Sequence, residues 1–556
     1  MKFLKTLYPT FFVLALVVFY SCKDKKPEEK DIVKKPEQLE DRVRRNLQDL
    51  LTYAADNDGK VNDSVILSDA KGMSSVYEKR GYNPLWSSNG SWLSKGDAIF
   101  QFIGRSKNYG LFPSDYHYSS LMAIHSQIEK DTIAQKDAAL WSRADVMLTN
   151  AVLMISKDIK RGRLPYDSLT LKKDTVIAGD LYLGVLDQII QSKNIDSALQ
   201  ELEPKLAGYQ DLKAGIPGFL DSAVFGRYTY LTYPVIDSAS FYASLQQRLL
   251  EVHAIDSSYT TGDTASLRKA LAAYQSSKKI KPSGKINEAT VNSLNDTDWE
   301  KFKRIALSLD KYKIMPDTLP PVYVWVNLPS FRLKVIDSDT IALESRVIVG
   351  AAKTRTPELS SEISNFITFP QWTVPYSIVF KEMLPQIQKN IKYLEKQNLM
   401  VVDRYDSVID PEKINWSKLS KNKFPYQLKQ RQGDDNSLGV LKFNFRNPYS
   451  VYLHDTNARW LFSKSSRALS HGCVRVQRWR DLAHFLVRND TIRYSVDTLA
   501  NWIARQEKHV VSGFKKAPIF IRYYTCEGVN GKVNFYDDIY AEDKILAEKY
   551  FSKNIN

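Results

Sequence analysis

Tyr452-Leu453-His454-Asp455, followed after a gap by Ser470-His471-Gly472-Cys473-Val474-Arg475, is the stretch on which the reading of this chain turns. A histidine lies nineteen residues before a cysteine embedded in Ser-His-Gly-Cys. That pairing suits an activated thiol. The nucleophile in thiol chemistry is the thiolate, and the free pKa of about 8.5 is lowered by an imidazolium, by basic side chains or by aligned backbone N–H groups. This stretch offers all three, so a lowered thiol pKa is expected at Cys473. The competing reading is a buried, inert cysteine in a turn, because an isolated cysteine behaves as a small hydrophobe.

Charge follows the same segment. The chain of 556 residues carries a formal charge of +15. Between Lys421 and Arg480 there are twelve Lys/Arg against three Asp, so more than half of the net charge surrounds the proposed thiol. A solvated basic face explains this blandly. Beside a reactive cysteine, the cations would favour the thiolate and attract a carboxylate-bearing substrate. No finger, homeodomain or RNA-binding motif accompanies them, so nucleic acid is not an expected partner. No Cys-x-x-Cys, His-x-x-x-His or Glu-x-x-His spacing occurs, so neither a metal nor another cofactor is expected.

Outward from the motif the period of the apolar residues changes. Val322–Asn327, Phe331–Val335, Ser345–Val349, Val440–Phe445 and Ser450–Leu453 alternate and read as strands. Residues 376–436 interrupt them with helical and polar sequence, which predicts an inserted subdomain. After the motif, Trp479, Leu482, Ala483 and Leu486 predict an amphipathic helix. Ile519-Ile521-Tyr523 and Val533-Phe535 flank Asn530-Gly531, a hairpin signal. Residues 498–556 are therefore read as a C-terminal helix and hairpin outside the catalytic body.

A chain this long exceeds one core and should divide into several domains. Residues 41–234 are mainly helical. The clearest helix runs from Ala139 to Lys160, with Leu140, Ala144, Met147, Leu148, Ala151 and Ile155 on one stripe, and Gly162 and Pro165 beyond its end. Residues 235–297 predict three short helices with Asn287 as the cap of the third. The whole is a multidomain α+β chain with a helical N-terminal scaffold and a β-rich C-terminal part.

Lys2 and Lys5 precede an apolar run from Leu7 to Tyr20 that ends at Ser21-Cys22, which reads as an export signal over residues 1–22. Residues 23–40, rich in Lys, Glu, Asp and Pro, read as a disordered tether. With Cys22 assigned to an anchor, Cys473 and Cys526 remain; they could pair, although such a bond would silence the thiol, so Cys526 is expected to be a buried strand residue.

These residues resemble known families. A histidine followed by Ser-His-Gly-Cys-hydrophobic-Arg is the signature of L,D-transpeptidases of the YkuD type, and His454 with Ser470–Arg475 matches it without substitution over a catalytic segment of 321–497. Phe369-Pro370-Gln371-Trp372-Thr373-Val374-Pro375 and the inserted subdomain look like the large multidomain Gram-negative members. Tyr274-Gln275, a glycine turn and Ala289-Thr290 resemble peptidoglycan-binding modules, although a plain helical spacer fits the same residues. Cys22 resembles the lipidated cysteine of bacterial lipoproteins; a retained, uncleaved anchor is the alternative. Either anchor implies a membrane-attached protein facing the periplasm.

The resemblance implies a β-rich sandwich and two-step acyl transfer on peptidoglycan stem peptides, forming diaminopimelate-to-diaminopimelate cross-links. Cys473 would be the nucleophile and His454 its base, oriented by the backbone carbonyl of Asp455. Gly472 and Cys473 N–H would form the oxyanion hole. Tyr452, Ser470, His471 and Arg475 would surround the substrate, with His471 read as support for the loop and Arg475 either as a brace of the turn or as a carboxylate ligand. Carboxypeptidase or endopeptidase trimming of stems, and a catalytically silent wall-binding protein, remain open alternatives. Carbapenem acylation separates the last from the others.

Overall fold

The computed structural model describes residues 27–62, 65–164, 180–191, 194–259 and 262–551. The expected signal and Cys22 lie outside these residues. No helix among the described residues is long and apolar enough to cross a membrane. The chain divides into two compact units, the first comprising residues up to Ser106, Phe112–Ile159 and Val176–Leu202, the second Lys107–Leu111, Lys160–Thr175 and everything from Glu203 onward.

The first unit is organised around helix α1 (Ala138–Arg161). The stripe expected from Leu140 to Ile155 is buried, and so are Trp141, Val146 and Val152 on other faces. A helix apolar nearly all round is a central core element. Its buried Asp145 accepts from the Tyr77 hydroxyl at 2.5 Å and from the Trp86 N–H at 3.0 Å, while burial pushes its carboxyl up to about 6. The tether expectation needs correction over 27–40. Val33 N–H donates to the Lys136 carbonyl at 2.9 Å, Asp31 N–H to the Asp137 carboxylate at 2.9 Å, and a helix starts at Leu39. Composition missed this because the segment is held by a few particular contacts, backbone pairing, the Asp31 carboxylate and buried Val33, within an otherwise polar stretch.

In the second unit, α2 (Ser238–Glu251), α3 (Thr264–Ser277) and α4 (Glu288–Asn295) are capped by Asp237, Asp263 and Asn287. They share a small core of Phe241, Leu245, Leu249, Leu271, Val291 and Leu294. Gln275, fully buried, binds the turn that follows: its amide donates to Lys285 O and Thr290 Oγ1, both at 2.8 Å, and its carbonyl accepts from Gly284 N–H at 2.9 Å. Helix α5 (Asp298–Tyr312) then leads into the sheet.

Nine strands follow: β1 (Val322–Asn327), β2 (Arg332–Asp337), β3 (Thr340–Gly350), β4 (Leu359–Thr368), β5 (Leu441–Phe445), β6 (Leu453–His454), β7 (Ala468–Ser470), β8 (Val474–Val476) and β9 (Val510–Arg522). Their order is β7-β3-β8-β6-β5-β4-β9-β1-β2, and β2 pairs again with β3. The expected sandwich is thus one mixed sheet bent back on itself around a single core. β3 makes the bend possible, pairing with β2 through Thr340–Arg346 and with β8 and β7 through Val347–Gly350. β9 runs between β4 and β1, parallel to β1, so the segment read as lying outside this body adds a strand to the nine-stranded sheet. A parallel partner nearly two hundred residues away leaves no local signature, so alternation alone could not assign it. The arms of the Asn530-Gly531 hairpin are Cys526–Val529 and Lys532–Phe535, and Ile519–Ile521 belong to β9 instead.

Between β4 and β5 the chain makes a separate excursion. Trp372–Thr373, Gln427–Gln430, Leu399–Val402 and Val408–Ile409 form a four-stranded antiparallel sheet with its own core, including Val379, Ile387, Val401 and Leu428.

Candidate active site

The register of three strands builds the site. In β5, Leu441, Phe443 and Phe445 point into the core; in β6 and β8, Leu453, Val474 and Val476 do the same. Strand side chains alternate between faces, so Lys442, Tyr452, His454, Cys473 and Arg475 share the opposite face. Lys442 stands opposite His454, and His454 opposite Arg475 across the parallel β6–β8 pair. The Val474 N–H donates to the Tyr452 carbonyl at 3.1 Å, continuing the ladder so that Cys473 sits beside Tyr452. His454 is one diagonal step from Cys473, about 8 Å between Cα atoms for neighbouring strands, and the Cys473 sulfur lies 3.9 Å from Ser450 O.

Tyr452 and His454 rings lie 5.5 Å apart, and the Lys442 ammonium sits 4.1 Å above the Tyr452 ring. Burial is the main force on Cys473, His454, Tyr452, Lys442 and Arg475. It raises the Cys473 thiol above its usual range, against the Tyr452 backbone and hydroxyl and the charges of Lys442 and Arg475, which all pull it down. It lowers His454 to about 3, with Arg475 adding to the effect. Against the expected lowering, the Cys473 thiol is raised, because desolvation outweighs the neighbouring cations, and the same burial disfavours the imidazolium of His454. Burial also raises the Tyr452 hydroxyl, and the Cys473 charge raises it further. Lys442 and Arg475 are both lowered by burial. Arg475 Nε is buried without a hydrogen-bond partner among the described residues.

His454 Nδ1 is likewise buried with no partner of full hydrogen-bond geometry among the described residues, although looser backbone hydrogen bonding from Asp455 and Leu438 opposes the fall in the ring's pKa. The Asp455 carboxylate serves the fold. It accepts from Val440 N–H at 3.0 Å and from Arg459 at 2.5 Å, and its own N–H donates to Leu441 O at 2.9 Å.

The cysteine loop is held from within. Gly472 has φ +118, a conformation that only glycine adopts readily. Ser470, expected near the substrate, is buried and staples the loop: its hydroxyl donates to Cys473 O at 2.6 Å and accepts from Gly472 N–H at 3.1 Å. Gly472 N–H is thus occupied, which removes it from the expected pair of oxyanion donors. Cys473 N–H, by contrast, has no partner among the described hydrogen bonds. Around this loop, Thr354 Oγ1 donates to Ser470 O at 2.9 Å and Thr356 Oγ1 to Gly472 O at 2.8 Å.

The inserted subdomain meets the same face at two points. His471 Nε2 is 2.8 Å from Glu382 Oε1, and the Trp372 side chain acts on the Tyr452 hydroxyl. Both partners of the first contact are half-exposed, so the pair is worth at most about 1 kcal/mol. Cys526 is a free, buried strand residue, its sulfur 3.3 Å from Ser308 Oγ, and burial pushes its thiol up to about 12. Sequence reading gave Lys442 no individual role, although its place between core-facing Leu441 and Phe443 marks the outer face. Thr354 and Thr356 carried no signal of their own, and Trp372 stood out only as part of the Phe369–Pro375 stretch, with no role at the site.

Comparison with known proteins finds two family matches and one relative. Residues 321–496 match the family described as the L,D-transpeptidase catalytic domain, and residues 71–215 match a scaffold domain. A Haemophilus influenzae protein provisionally named an L,D-transpeptidase is 33% identical over 250 residues, which cover 44% of this chain and 48% of that protein. The chain thus spans about half the length of this curated relative.

Proposed function

We propose that this chain, which carries an L,D-transpeptidase catalytic domain over residues 321–496, is a cysteine acyltransferase joining peptidoglycan stem peptides. One observation carries the reading: the register that gathers Tyr452, His454, Cys473 and Arg475 on one outer face of the sheet. The substrate would be a tetrapeptide stem. As the thiol attacks the carbonyl at the L-centre of diaminopimelate, its proton passes to neutral His454, the correct form for a general base. The tetrahedral oxyanion collapses, the C–N bond to the terminal D-alanine breaks, and His454 returns the proton to the leaving amine. A thioester remains. The side-chain amine of diaminopimelate on a second stem then attacks it, forming an amide and releasing the sulfur. Water in place of that amine gives trimming.

Lys442, Arg475 and the Tyr452 hydroxyl support the sulfur as charge moves through it. The helical module at 235–297 would hold the glycan, and lipidation of Cys22 would attach the chain to a membrane facing the periplasm. The test incubates purified protein with disaccharide tetrapeptides and separates the products by mass. The expected product is a dimer linked between two diaminopimelates, absent with Cys473→Ala. Tripeptide alone would move the assignment to carboxypeptidase, and no product to a silent wall-binding protein. Incorporation of labelled palmitate, lost in Cys22→Ser, tests the anchor.

A further inference from the structure

We propose that Thr356, backed by Tyr540, is a positioning residue that aims the Cys473 N–H at the developing oxyanion. This inference rests on the acyl-transfer reading above. The Gly472 carbonyl and the Cys473 N–H belong to one planar trans peptide group, so they point in opposite directions, and fixing one fixes the other. Of the polar backbone groups of Gly472 and Cys473, Ser470 takes Gly472 N–H and Cys473 O. Thr356 Oγ1 takes the third, donating to Gly472 O at 2.8 Å. The group left is the one that acyl transfer needs.

Thr356 is itself held on both sides. Its hydroxyl accepts from Gly350 N–H at 2.9 Å, so its donor and one of its two acceptor lone pairs are committed, which fixes the direction of its O–H toward Gly472 O. Its own N–H donates to the Tyr540 hydroxyl at 3.1 Å, and that hydroxyl donates to Gly350 O at 2.7 Å. Gly350 must be glycine for this: a Cβ there would lie 2.2 Å from Thr354 O and 2.6 Å from Thr356 N. Tyr540 is fixed in turn, its ring stacked on Tyr523 at 5.4 Å and its N–H donating to the Tyr523 hydroxyl at 2.9 Å. Tyr540 lies beyond the matched catalytic domain, so the C-terminal segment completes the nucleophile loop.

The experiment compares two reactions of one sulfur. Alkylation by iodoacetamide forms no oxyanion; acylation by a carbapenem does. Both are followed by intact mass in wild type, Thr356→Val, Thr356→Ser and Tyr540→Phe, with melting temperatures measured alongside. Loss of a direct oxyanion donor costs about 100- to 1000-fold, so loss of its aim through Thr356→Val is expected to slow acylation about 10- to 100-fold. Alkylation should stay within about twofold, Thr356→Ser should restore acylation, and Tyr540→Phe should show a smaller loss of the same selectivity. Equal acylation of wild type and Thr356→Val, or equal losses in both reactions, would overturn the inference alone. Wild type that is alkylated but never acylated would overturn the acyl-transfer reading and this inference with it. If Thr356→Val does not fold, Tyr540→Phe decides: a selective loss supports the assignment and unchanged acylation overturns it.

Discussion

Burial drives both Cys473 and His454 toward neutrality, and this fixes what titration of the native protein should show. Because Cys473 is raised above its ordinary value of 9.0, the rate of iodoacetamide alkylation should climb through neutral pH and inflect only above 9. Lys442 is one of the cations opposing that rise. Lys442→Met should move the inflection higher and slow alkylation at pH 8 by about 3- to 10-fold, the equivalent of half to one pKa unit. An unchanged profile would remove Lys442 from the chemistry. His454 affects stability with the opposite sign to a salt-bridged histidine. The unfolded imidazole takes its proton near 6.5 and the native ring only near 3, so stability is full above 6.5 and is lost as pH falls through that window. His454→Gln should flatten this part of the curve of melting temperature against pH.

At the scale of the strand, neighbouring residues have unrelated tasks. Phe443 is fully buried in the core, whereas Lys442 lies on the outer face beside Tyr452. Phe443→Ala should cost about 3–5 kcal/mol in denaturant unfolding while leaving the alkylation profile of the folded fraction unchanged. Lys442→Met should do the reverse. This alternation made the outer face legible in the sequence: with Leu441 and Phe443 apolar, Lys442, His454 and Cys473 could be set apart from the core before any coordinates. Which strands adjoin was not legible. The parallel pairing of β6 with β8 and the insertion of β9 beside β1 depend on contacts far apart in sequence, and nothing local encodes them. For the same reason Thr356 and Tyr540 passed unnoticed, since an isolated hydroxyl carries no period.

Across the second unit, the C-terminal segment also carries a cluster of buried charge. Lys311 of α5 pairs with Asp543 at 2.9 Å, and Glu542 beside it is raised from 4.5 to about 8, by burial first and then by Glu358. A carboxyl whose native pKa exceeds its unfolded value stabilises below 4.5, and that contribution is lost as pH rises through 8. Melting temperature should therefore fall across this interval, and Glu542→Gln should remove the fall. The composition of the motif exposed the cysteine and its histidine, but their protonation states depend on desolvation by the whole fold, which is why the expected thiolate did not survive.

The excursion between β4 and β5 has a consequence for protein engineering. Thr368 and Leu441 are register partners, and Phe369 N–H donates to Val440 O at 2.7 Å, so the chain leaves and re-enters the sheet at one doorway. A tight β-turn could bridge that doorway. Shortened in this way, the nine-stranded sheet would keep its strand order while losing the contacts of Glu382 with His471 and of Trp372 with Tyr452, and the accessory piece, with a core of its own, could be transplanted between two antiparallel neighbours of similar spacing.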